Sequence, residues 1–130
     1  ATENGTRAVR VFCHHIYEYQ KGVRNLVLHT LPASDRLEVE RKLKTRGIAS
    51  LIYPLGKTRI NVFFGDKDCV DVVRRIGKSR LCDYTPEEDF MLGIMLGYDR
   101  LRQCKRYLER SSLKRAAAER WPMIEKEKAG

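Results

Sequence analysis

TPEEDFMLGIMLGYDRLRQCKRYLER, Thr85 to Arg110, is the stretch whose reading decides the architecture. Thr85 with Glu88 three residues later forms a capping box, Pro86 sits where its missing N–H costs nothing, and Glu87 to Asp89 place negative charge at the positive end of a helix dipole. These signals predict a helix beginning at Thr85. Phe90, Ile94, Gly97, Leu101, Cys104 and Leu108 recur at helical spacing and predict one continuous element to Arg110. Its first half is apolar on almost every side and its second half is amphipathic. Gly93 and Gly97 each cost roughly 1 kcal/mol against Ala in a helix interior. A close approach by a sheet, a second helix or a partner subunit is expected to offset that cost.

The elements upstream alternate in type. KSRLCDY, residues 78–84, reads as a short strand or an extended lead into the Thr85 cap. Before it, Asp66 or Asp68 caps a helix in which Cys69, Val72, Val73 and Ile76 fall three and four apart, ending at Gly77. IASLIYP and TRINVFF, residues 48–54 and 58–64, read as a hairpin around Leu55, Gly56 and Lys57. Ser34 caps a helix with a narrow stripe of Leu37, Val39 or Glu40, Leu43 and Lys44, stopping at Gly47. VRNLVLHTL, residues 23–31, alternates as a strand, and RAVRVFCHH, residues 7–15, sets Val9, Val11 and Cys13 against Arg10, Phe12 and His14, a first strand.

The order predicts an α+β fold: a split β-α-β, ferredoxin-like antiparallel sheet of four or five strands, two covering helices and an additional long C-terminal helix on the open face or an edge. Residues 7–110 form the domain. Residues 111–130 lose periodicity, Pro122 interrupts any helix, and the segment reads as a basic tail or loosely packed extension.

At 42% hydrophobic and 33% charged, a chain of 130 residues is expected to fold as one domain with a modest core. No apolar run approaches the roughly 18 residues of a membrane span, and no signal-peptide pattern opens the sequence. The four cysteines are widely spaced within apolar stretches and read as reduced thiols of a cytoplasmic protein. The net charge of +9 is uneven: sixteen basic and thirteen acidic residues over 1–99 leave +3, while ten basic and four acidic over 100–130 leave +6. That basic end fits an anionic partner or a solvated helix end.

Cys13, His14 and His15 form the one cluster with metal-ligating potential. With His29 from a neighbouring strand and Cys104 from the long helix they offer N and S ligands suited to zinc or copper, although adjacent histidines on a strand point to opposite faces and the spacing matches no short metal motif. A Cys–His nucleophile has no orienting group or oxyanion site specified by the spacing. The acidic residues at Asp66 to Asp71 and Glu87 to Asp89 are explained by helix starts, and no glycine-rich phosphate loop follows a strand, so no cofactor is implied. Arg100, Arg102, Lys105, Arg106 and Arg110, with Tyr98 and Tyr107, offer nucleic acid an alternative basic surface unaccompanied by any zinc-finger, helix-turn-helix or RNP-type pattern.

Together FCHHIYEYQKGVRNLVLHTL, YPLGKTRINVFFG, CDYTPEEDFMLGIMLGYD and RLRQCKRY resemble a small bacterial family catalogued as a domain of unknown function, number 2023, over roughly Val9 to Tyr107. Some members are encoded beside a flavodoxin. The resemblance implies association with that acidic electron-transfer protein, for which a basic partner is electrostatically apt. Contact residues on this reading are Arg100, Arg102, Lys105 and Arg106, with Tyr17, Tyr19, Lys21 and Arg24 around the first turn. A homodimer through the apolar half of the Thr85 helix is the other association the sequence suggests. The expectation is a non-enzymatic interaction or accessory protein.

Overall fold

The structure, a computed structural model, describes residues 6–129, with side chains over residues 6–117. Its first element corrects the sequence reading: Arg7–Gln20 is a helix, α1, where a strand was expected. Val9, Phe12 and Ile16 are buried on one face while Val11 is 42% exposed. The alternating Val9, Val11 and Cys13 are thus incidental to a spacing of three and four. The Thr6 hydroxyl oxygen accepts from the Val9 N–H at 3.2 Å, capping α1, and donates to the buried Asp35 carboxylate at 3.0 Å.

Strands β1 (Leu26–Pro32), β2 (Ala49–Leu55) and β3 (Arg59–Gly65) follow the expected pattern, with Gly56 at φ +64° in the turn between the last two. Between β1 and β2 lie a 3-10 turn, Ala33–Asp35, and helix α2 (Arg36–Thr45). The expected Ser34 cap does not form, because that turn carries the chain into α2 without a side-chain cap. Val39 and Leu43 are the buried stripe of α2, and Leu37 faces solvent. β3 lies between β1 and β2 and is antiparallel to both, so that Leu28 and Leu51 each oppose Phe63.

Among the described residues the sheet therefore has three strands rather than four or five. The residues assigned to a first strand are α1, and residues 78–84 make only a 3-10 turn, Leu81–Asp83. Both faces are covered. Val27, Leu31, Ile60, Val62 and Phe64 pack beneath α1 and α2, where Phe12 meets Phe64 edge-on at 5.2 Å. Leu26 and Phe63 look the other way, onto α3 (Lys67–Ile76) and α4 (Pro86–Met95). Alternation along each strand thus supplies two cores, one per face. The two helices expected to cover one side, α2 and α3, lie instead on opposite faces, α2 beside α1 and α3 beside α4, and α4, the first half of the expected long helix, packs on the face left open for it.

Asp66 caps α3 by accepting from the Asp68 N–H at 2.9 Å, and Gly77 ends it at φ +69°. At α4 both halves of the capping box are present: the Glu88 N–H donates to the Thr85 hydroxyl at 3.1 Å, and the Thr85 N–H donates to the Glu88 carboxylate at 2.9 Å. The element then departs from a single helix. α4 stops at Met95, Gly97 takes φ +80°, and α5 (Arg100–Ala129) restarts where Asp99 accepts from the Arg102 N–H at 3.0 Å. The chain reverses and α5 packs back along α4, Tyr107 against Phe90 with ring centroids 5.6 Å apart. The close approach expected at Gly93 is present, since a Cβ there would overlap the Gln103 side-chain amide. Gly97 has open space around it and serves the turn instead. α5 also runs through Pro122, which removes one donor from a helix of 30 residues without ending it.

Candidate functional site

Three features carry chemistry, and the fold keeps them apart. The first is an imidazole pair. His15 projects from α1 toward His29 on the edge strand β1, with ring centroids 4.9 Å apart and planes at 68°, and Phe12 stacks on His29 at 6.0 Å. Both Nδ1 atoms are buried without a hydrogen-bond partner among the described residues; Glu18 Oε1, at 3.8 Å from His15 Nδ1, is too distant to accept. Burial, then the neighbouring Arg24 charge, lowers the pKa of His15, partly offset by Glu18. Burial, then His15, lowers that of His29. Both shifts favour the neutral imidazole over the charged form.

The rest of the expected Cys/His cluster does not assemble. His14 points to solvent and pairs with Glu18 at 3.3 Å. Cys13 packs against the core beneath α1, and Cys104 is exposed on α5, across the sheet. A helical turn sets Cys13 and His15 about 200° apart, whereas on the expected strand they would share a face. Among the described residues no group of three His, Cys, Asp or Glu side chains is arranged to hold a metal, and all four cysteines are free thiols.

The second feature, which the sequence reading missed, is a half-open cavity of about 400 Å³ bordered by α4, α5, β1 and the Leu81–Asp83 turn. Leu28, Leu92 and Leu96 form its apolar wall, and Asp89, Arg106 and Arg110 its charged one. Asp89 is gripped by two guanidiniums: Arg106 Nε donates to Oδ2 at 2.8 Å and Nη2 to Oδ1 at 3.3 Å, while Arg110 Nη1 lies 3.0 Å from Oδ1. Arg110 Nη2 also donates to the Tyr84 carbonyl at 3.4 Å. Burial works to raise the Asp89 pKa, but the Arg106 hydrogen bonds and both guanidinium charges outweigh it and hold the carboxyl below its usual range. Tyr84, which also lines the cavity, is 3% exposed and its hydroxyl has no hydrogen-bond partner among the described residues. Burial, with Tyr53 and Glu88 nearby, pushes its pKa up to about 12. The sequence signal for this site was Gly97 followed by Asp99, a helix stop and restart that folds Arg106 and Arg110 onto Asp89.

The third feature is the solvent-exposed surface of α5. Arg100, Arg102 and Lys105 are exposed there, Arg102 and Lys105 three apart on one side and Arg100 about 200° around the helix from Arg102. None is in an ion pair among the described residues, whereas Arg106 is committed to Asp89. Residues 112–117, Lys114 and Arg115 included, are all exposed. The second expected contact group lies elsewhere. Tyr17, Lys21 and Arg24 flank the end of α1, with the Lys21 ammonium 5.3 Å from the Tyr17 ring centre and Arg24 paired with Glu18 at 3.3 Å. α1 and α4 cover opposite faces of the sheet, so the two groups do not form one patch.

No helix is long and apolar enough to cross a membrane among the described residues. None of the curated proteins compared with the chain matches it. Residues 10–110 match the family described as "Protein of unknown function (DUF2023)", which covers all three features up to Arg110, and the chain belongs to that family.

Proposed function

We propose that this DUF2023 protein is a non-enzymatic accessory protein that docks an acidic partner protein on the exposed basic surface of α5, a flavodoxin being the partner class that the family resemblance implies. The observation that carries the reading is the separation of charge on one helix. Arg106 and Arg110 are spent inward on Asp89, while Arg100, Arg102 and Lys105 face solvent unpaired among the described residues. Exposed unpaired cations on a rigid helix steer an acidic surface at little desolvation cost.

The test is a titration of a flavodoxin from the same cell into the protein at low and at moderate salt. Binding should weaken as salt rises, and Arg100→Glu with Lys105→Glu should weaken it about tenfold or more, since opposed charges then repel. The absence of salt-sensitive association overturns the flavodoxin reading. A duplex DNA titrated in parallel separates the alternative of nucleic-acid binding. Tighter binding of DNA than of flavodoxin, with a steeper salt slope, would favour it.

A further inference from the structure

The cavity behind α5 is chemically distinct from the helix's exposed basic surface. Two guanidiniums share a single carboxylate there, leaving a local excess of one positive charge beside the apolar wall of Leu28, Leu92 and Leu96. Each guanidinium carries five donors. Arg106 directs two at Asp89, and Arg110 directs one at Asp89 and one at the Tyr84 carbonyl, so each retains others for a ligand. Gln103 lines the same wall, its amide lying over Gly93, where any larger residue would displace it.

We propose that this cavity is a binding site for a small monocarboxylate with an apolar body. The carboxylate accepts hydrogen bonds from Arg106, Arg110 and the Gln103 amide, and the body covers Leu28, Leu92 and Leu96. The planar fork of arginine matches a carboxylate. A single negative charge completes the neutralisation of Arg106, Arg110 and Asp89, whereas a dianion such as a phosphate monoester would leave the site with excess negative charge beside the Asp89 carboxylate. The size suits a molecule with one ring or a short chain. This site does not rest on the docking of an acidic protein, because it uses the inward side of the helix.

The experiment compares 3-phenylpropanoate with 3-phenylpropanol, alike in body and different in charge, by heteronuclear NMR titration of the intact chain. The expected result is saturable shifts in the amides of Leu28, Leu92, Gly93 and Gln103, with the acid binding about tenfold more tightly than the alcohol. Arg106→Gln, at a side chain that is 56% exposed, should weaken the acid severalfold and leave the alcohol unchanged. Should that variant fail to fold, the unaltered protein decides: added salt must weaken the acid and not the alcohol. Equal binding of acid and alcohol overturns the proposal, as do shifts confined to the exposed basic surface of α5 or no saturation by about 10 mM.

Discussion

Replacing Asp89 with Asn is expected to loosen the hairpin of α4 and α5 in a way that disappears in acid. The substitution keeps the shape of the side chain and removes the charge that holds Arg106 and Arg110. Arg106 is 56% exposed, so its pair is worth only a few tenths of a kcal/mol after solvent screening. Arg110, at 31%, and Asp89, at 21%, are drier, and their pair is worth more. The two together amount to about 1–2 kcal/mol, a noticeable fraction of a stability of order 5–15 kcal/mol. The folded Asp89 pKa lies below its ordinary 3.8, so its contribution is fully present above that value and is lost as the pH falls through the folded pKa. Urea unfolding followed by far-UV circular dichroism should show the variant weaker at neutral pH. The gap should close as the wild-type carboxylate itself becomes protonated. A gap that persists unchanged in strong acid, or one absent at neutral pH, would refute the assignment of this carboxylate as the clasp. The same variant raises the charge of the cavity, so 3-phenylpropanoate should bind it more tightly although the hairpin is weaker.

Gly65 has φ +145° and a Cβ there would overlap the Asn25 carbonyl, whose oxygen also accepts from the Asp66 N–H at 2.8 Å; Gly65→Ala should cost about 2–4 kcal/mol in urea unfolding. Gly56→Ala, at φ +64° in open space, is the control and should cost about 1 kcal/mol. Thr6→Ala removes the α1 cap and the sole hydrogen-bond donor to the buried Asp35 carboxylate among the described side chains, and thermal unfolding should show a loss of about 1–2 kcal/mol. His15 and His29 have folded pKa values below their ordinary 6.5, so the unfolded chain binds more protons in the window beneath it. Their contribution to stability is complete above pH 6.5 and is lost as the pH falls through the two lowered values. His29→Leu should flatten the dependence of the thermal midpoint on pH across that window, and an unchanged slope would remove the pair as its cause.

What could be read from the sequence was set by how local each signal is. The capping box at Thr85, the Asp66 cap, the Gly77 stop and the hairpin about Gly56 each involve neighbours in sequence, and each stands as expected. The segment at residues 7–15 failed because Val9, Phe12 and Ile16 satisfy a period of 3.6 while Val9, Val11 and Cys13 satisfy a period of two. Only burial, with Phe12 inside and Val11 outside, distinguishes them. That one misreading added a strand to the sheet and set Cys13 on the same face as His15, and the helix undoes both. It left the contact between His15 and His29 intact by another route, since a helix packed on β1 presents His15 there as a strand would have done.

The same logic explains why the basic stretch was legible in charge and illegible in role. Periodicity carried Arg100 to Arg110 along one helix with the apolar half, and on such a helix every cation beyond Tyr98 would be free for a partner. The reversal at Gly97 gives α5 a side that faces α4, and residue spacing then divides the cations: Arg106 and Arg110, four apart, turn inward to Asp89, while Arg100, Arg102 and Lys105 do not. A single left-handed glycine thus converts one run of charge into an internal clasp and an external surface. Gly97→Ala tests that dependence, because strain at φ +80° costs roughly 1 kcal/mol or more and acts on the turn itself. If the clasp and the surface depend on the turn, amide exchange at Arg106 and Arg110 should quicken in the variant while the β3 amides, buried between their two neighbouring strands, keep theirs.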